Sequence, residues 1–201
     1  MMKYLSDKEE KQLLRTAADV KGKKAERDSM ILVLGFNTGL RLSEITGLNI
    51  GDVRGKDKLF VRPETTKATI RQADGTKKAR GRMVPLSKKL QAAIKRFLSL
   101  KLTWREAISD DAPLFISKKG ARLSARALQE VFAYWRDRAG LEHYTVHSMR
   151  HSFAKRILQR YENMAEALAV VQKLLGHTSL SSTGVYVEAG EEELREAVES
   201  R

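Results

Sequence analysis

Three short stretches hold side chains able to do chemistry on an anion. In LLGHTSLSSTGVY, residues 174–186, Tyr186 stands nine residues after His177 among small and hydroxylated neighbours. That tyrosine is either a packing residue with a wet tip or a nucleophile whose phenolic oxygen can carry an ester. VHSMRHSFAKRIL, residues 146–158, carries His147, Arg150 and His151. Its apolar stripe runs through Ala154, Ile157 and Leu158 towards Tyr161, and one heptad back the same face holds those three polar residues. A guanidinium on an inward face is costly unless something neutralises it. Two readings stay open: Arg150 pairs with a core carboxylate, or the start of this helix opens onto an anion, which a helix N-terminus favours. In TGLRLSEITGL, residues 38–48, Arg41 sits at a turn into a helix with Glu44 three residues on. An exposed arginine–glutamate pair is one reading. The apolar helix and glycine turn before Arg41 predict instead a half-buried neighbourhood.

A metal centre is not expected. His147 and His151 are spaced to share a helix face, but Arg150 lies between them and no HExxH pattern is present. Cysteine is absent, which excludes disulfides, a thiol nucleophile and thiolate metal sites, and fits a reducing cytoplasm. No run of apolar residues reaches membrane-spanning length, and MMKYLSDKEEK lacks the apolar centre of a secretory signal.

Charge points to the partner. The 201 residues include 38 Lys and Arg against 25 Asp and Glu, a net +13. Ten basic and three acidic residues fall between Arg54 and Arg82, whereas residues 188–201 hold six acidic and two basic. A basic body with an acidic tail implies a polyanion, most simply nucleic acid.

The elements that must position these groups are mainly helices. Ser6 with Glu9 signals a capping box opening a helix over 5–18, and ERDSMILVLGFNT predicts a buried helix ending near Gly39. RLSEITGL reads as a short helix closed by Gly47. From residue 51 the pattern changes: 58–62, 68–72 and 81–86 read as three strands of a small basic antiparallel sheet or extended hairpin, with Asp74-Gly75 as a tight turn. A helix over 87–101 places Leu90, Ile94, Phe97 and Lys101 on one face. Another, opened by Ser124, carries Leu128, Val131, Phe132 and Trp135 at helical spacing and ends at Gly140, which makes Trp135 a core residue. Helices over 148–161 and 166–175 follow, then short ones around Tyr186 and at 191–199. The fold class is therefore mainly α with a small antiparallel β-sheet (α+β).

Taken together, TGLRLSE, HSMRHSF and LLGHTSLSSTGVY resemble, in order and spacing, the boxes of the tyrosine recombinases of the phage-integrase family. The resemblance runs from LSDKEEKQLL onward and implies the fold of that family's catalytic domain. It further implies that Arg41 and Arg150 grip the scissile phosphate, that His147 and His177 assist, and that Tyr186 is the nucleophile. The family also uses a lysine from a β-hairpin as general acid. Lys67 in ETTKAT fits that place, with Lys77 or Lys78 in GTKKARGR as rival. Lys77, Lys78, Arg80 and Arg82 are expected to contact DNA, and Glu44 to orient Arg41.

The residue types suit such a reaction. Breaking and rejoining DNA without metal, cofactor or ATP requires a nucleophile that conserves the bond, and a phosphotyrosine ester does so. The transition state gathers charge on its equatorial oxygens, which guanidiniums bind bidentately while staying charged at any working pH. A lysine with its pKa lowered by neighbouring arginines can protonate the leaving 5′ oxygen. Each such contact is typically worth about 3–4 kcal/mol.

The sequence thus predicts a single catalytic domain over 1–201, with 51–86 as a basic β insert, 188–201 as a tail helix, and the family's N-terminal clamp domain absent, through either a natural short form or a fragment. Gly184, where the family carries a bulkier residue, predicts that the Tyr186 segment is mobile until DNA and a neighbouring protomer are present. The apolar stripe of Leu194, Ala197 and Val198 packs either on a neighbouring protomer or back on its own chain. The expected partner is double-stranded DNA, on which the chain forms a homo-tetramer. The expected setting is the prokaryotic cytoplasm, on the nucleoid. The rival functions are type IB topoisomerase-like relaxation and a non-catalytic DNA-binding regulator.

Overall fold

One long apolar helix organises the chain, and the others are laid around it. The computed structural model describes residues 4–65 and 81–176, and the backbone course of 69–71 and 77–79. The elements in order are α1 (Asp7–Ala18), α2 (Lys23–Thr38), α3 (Leu42–Gly47), β1 (Lys58–Val61), β2 (Thr69–Arg71), β3 (Lys77–Ala79), β4 (Arg82–Pro85), α4 (Lys88–Thr103), α5 (Ala125–Arg138), α6 (Val146–Leu158) and α7 (Met164–Leu175). α2 packs against α1, α4 and α6, which is why its Ile31, Leu32, Leu34 and Phe36 are fully buried on different sides.

Local chemistry sets the boundaries. The Ser6 hydroxyl accepts from the Glu9 amide and the Glu9 carboxylate accepts from the Ser6 amide, closing the box that starts α1. Ser87 and Ser124 cap α4 and α5 by the hydroxyl alone, accepting from the Leu90 and Ala127 amides. α2 and α7 stop at glycines in the left-handed region, Gly39 at φ 61° and Gly176 at φ 66°. The expected stripe of α5 is all buried, with Trp135 donating to the buried Asp28 carboxylate at 3.2 Å. Lys101 shares the buried face of α4 and is neutralised there by Glu106.

The β region differs from its expectation. Four strands form, as two separate antiparallel pairs: β1 with β4, in register Leu59↔Val84 and Val61↔Arg82, and β2 with β3, in register Ile70↔Lys78. The missed strand, Lys-Lys-Ala, has little β-propensity, but a two-stranded ladder is held by backbone bonds that need no apolar side chain. Asp74-Gly75 lies outside the described residues.

α6 also differs. It begins at Val146 rather than 148, capped at Thr145, whose amide donates to Ser148 Oγ at 3.2 Å. Its buried face is Met149, Arg150, Phe153, Ala154 and Leu158. Of the polar trio only Arg150 is buried; His147 is exposed, His151 half-buried, and Tyr161 falls beyond the helix end, exposed. The shift comes from α2 and α7 both packing on α6, so that two neighbours, not one, define its inner side.

Candidate active site

Three ends of structure meet in one place. The first is the α2–α3 turn. Gly39 leaves α2 with Phe153 and Leu175 packed where a Cβ would stand, and Leu40 is buried behind it. That close fit delivers Arg41 to the start of α3 beside α6 and α7. Its backbone amide donates to Glu44 Oε2 at 2.7 Å, and its Nη1 donates to Glu44 Oε1 at 3.2 Å. Arg41 is thus half-buried, one side against its own helix.

The second is α6. Arg150 is 7% exposed. Its Nη1 donates to the Gly39 carbonyl at 2.7 Å and its Nη2 to the Leu175 carbonyl at 2.8 Å. Both of these acceptors are backbone carbonyls.

The third is the C-terminal turn of α7. Its last carbonyls have no partners inside the helix and carry the negative end of the helix dipole. Arginines take them up. The Leu175 carbonyl also receives Arg41 Nη1 at 3.4 Å, and the Leu174 carbonyl receives Arg82 Nε at 2.7 Å.

Glu44 lies between these ends, 1% exposed. Besides Arg41, both its oxygens accept from Arg82, Oε1 from Nη1 at 2.7 Å and Oε2 from Nη2 at 2.8 Å. Arg82 was expected among the cations that contact DNA. The structure turns it inward instead, its side chain 8% exposed, because a buried carboxylate requires a cation and strand β4 brings this one to it. That partnership was missed, because Arg41, three residues before Glu44, already supplied a counter-ion in the sequence and left no signal for a second one.

His147 lies in the first turn of α6, exposed. His151, one turn on, is held below the ordinary histidine pKa, first by burial and then by the charges of His147 and Arg150. Among the described residues Arg41 and Arg82 both bond the Glu44 carboxylate and Arg150 shares the Leu175 carbonyl with Arg41, so three guanidiniums stand against one carboxylate and the site carries excess positive charge. Its donors are arranged for an anion with several acceptor oxygens, such as a phosphodiester. No cluster of histidines and carboxylates able to hold a metal occurs among the described residues. Lys67, Arg80, His177 and Tyr186 lie outside the described residues, and of Lys77 and Lys78 only the backbone, in β3, is described.

Residues 3–193 match the Phage integrase family, to which the chain belongs. It is 33% identical over 197 residues to the tyrosine recombinase XerC of Caldanaerobacter subterraneus subsp. tengcongensis, covering 97% of this chain and 50% of that protein. It is 33% identical over 202 residues to the tyrosine recombinase XerA of Pyrococcus horikoshii, covering 98% of this chain and 60% of that one. A crystal structure of XerA recombinase superimposes with a TM-score of 0.75 at 25% identity, covering all of this chain and 65% of the other. The chain spans about half the length of the curated relatives it matches. No described helix is long and apolar enough to cross a membrane.

Proposed function

We propose that this chain is the catalytic part of a site-specific DNA recombinase that cuts and rejoins strands through a 3′-phosphotyrosyl intermediate. The observation that carries this reading is the convergence of Arg41 and Arg150, far apart in sequence, on the end of α7 just before the His177–Tyr186 stretch.

In this reading Tyr186 Oη attacks the scissile phosphorus and its proton passes to His147. The bond from phosphorus to the 5′ oxygen breaks, and Lys67, or its rivals Lys77 and Lys78, protonates that oxygen. Arg41, Arg150 and His177 hold the non-bridging oxygens as charge builds on them. The 5′ hydroxyl of a partner strand then attacks the phosphotyrosine, restoring the diester and releasing Tyr186. No bond energy is lost, so neither ATP nor metal is consumed. The cations of the β2–β3 hairpin track the DNA backbone, which makes affinity fall steeply with salt. The chain acts as one catalytic domain, assembles as a tetramer on DNA, and works in the cytoplasm of a prokaryote on its nucleoid.

The test begins with covalent capture. The protein is incubated with a pool of nicked duplexes of random sequence, and adducts that survive SDS are amplified. Two copies of the selected site are then placed on one plasmid. Inversion or excision between the copies is the expected result. Relaxation without exchange supports topoisomerase-like activity instead, and binding without adduct supports a regulator.

A further inference from the structure

Arg82 lies outside TGLRLSEITGL and LLGHTSLSSTGVY, yet it touches both. It heads β4, paired across the ladder with Val61 of β1. From there it bonds Glu44 with two nitrogens and the end of α7 with the third, at the Leu174 carbonyl. Its place is tight: a Cβ added at Gly176 would stand 2.9 Å from Arg82 Cδ.

We propose that Arg82 is a positioning residue that governs the charge of Arg41 through Glu44. The inference rests on the recombinase reading above. Glu44 is buried, and a buried carboxylate draws in the nearest cation. Two compete for it. Arg82 wins, with two bonds at 2.7 and 2.8 Å and a side chain 8% exposed. Arg41 makes a longer side-chain contact of 3.2 Å and remains 26% exposed. Arg82 therefore takes the larger share of the carboxylate's charge, and Glu44 makes a weaker claim on Arg41 than it would alone. Glu44 still fixes the Arg41 backbone through its amide at 2.7 Å. Without Arg82 the carboxylate has to take Arg41 as its counter-ion. The guanidinium then folds back into a double contact with Glu44, its charge cancelled and its donors turned away from the site.

The test is a double-mutant cycle on single-turnover cleavage of the captured nicked duplex, with affinity for that duplex and thermal stability measured alongside. Arg82→Met is expected to slow cleavage roughly 100-fold, the size seen when one positioned transition-state donor is lost, while duplex affinity stays near that of the parent. Arg41→Lys is expected to slow it as well, and the two together to cost little more than Arg41→Lys alone, because both act through one guanidinium. Adding Glu44→Gln to Arg82→Met is expected to restore part of the rate, since a neutral amide makes no claim on Arg41. If Arg82→Met does not fold, Arg82→Lys keeps the charge on one nitrogen in place of three, and is expected to show a smaller rate loss with the same non-additivity.

Rate losses that multiply across Arg82 and Arg41, or a variant at parental rate, overturn the proposal while leaving the recombinase reading intact. Failure of the parent protein itself to form any adduct overturns the recombinase reading, and this inference with it.

Discussion

Arg41 and Arg150 share one acceptor, the carbonyl oxygen of Leu175, at 3.4 and 2.8 Å. Two like charges are thereby held side by side, and the negative end of the α7 dipole offsets their repulsion. This makes the last turn of α7 the platform of the site. It is also the turn that leads directly into His177.

Arg150 uses its planar fork to reach two carbonyls on different elements, those of Gly39 and Leu175. Lysine carries the same charge on a single nitrogen and lacks that rigid fork. Arg150→Lys is therefore expected to fold and bind DNA yet cleave about 100- to 1,000-fold more slowly, a loss of roughly 3–4 kcal/mol in transition-state stabilisation. Single-turnover cleavage set beside a binding titration checks this.

Gly176 and Gly140 provide a matched pair. Both sit at positive φ, 66° and 67°, but an added Cβ meets nothing within 4 Å at Gly140 and meets Arg82 at Gly176. Gly140→Ala is expected to cost only the left-handed penalty of about 1–2 kcal/mol. Gly176→Ala is expected to cost more and to slow cleavage, since it pushes on Arg82. Urea denaturation of both variants, with cleavage rates, tests the comparison.

His151 gives a pH dependence of definite sign. Its pKa in the folded chain lies below the ordinary value of 6.5, through burial first and then the nearby His147 and Arg150 charges. The unfolded chain thus binds the proton more readily. Stability is full above the unfolded value and falls as pH drops below 6.5, levelling off once pH passes the folded value. His151→Gln is expected to flatten that part of the stability profile, measured as the difference between variant and parent across pH 5–8. Equal slopes in the two proteins contradict it.

Much of the fold is written in local chemistry and was legible there. Ser6 with Glu9, Ser87, Ser124, Gly39 and Gly176 mark helix ends because each satisfies or terminates a backbone ladder through its own side chain or φ angle. Trp135 was legible as core because its helix repeats at one spacing. Arg82 was not, since an arginine at the end of a basic run looks like surface until Glu44, far away in sequence, is seen to need it. The α7 carbonyls were not legible either, because backbone acceptors have no letter in the sequence. The exposure of His147 depended on where two other helices press on α6, which is tertiary information.

The central claim is that Tyr186 is the nucleophile. The direct measurement is to digest the SDS-resistant adduct formed on the captured duplex and find the phosphorylated residue by mass spectrometry, with Tyr186→Phe run in parallel. The expected result is a nucleotide linked through its 3′ phosphate to Tyr186, and no adduct from the variant despite undiminished DNA binding. A link to another residue, or an adduct that persists in Tyr186→Phe, contradicts it.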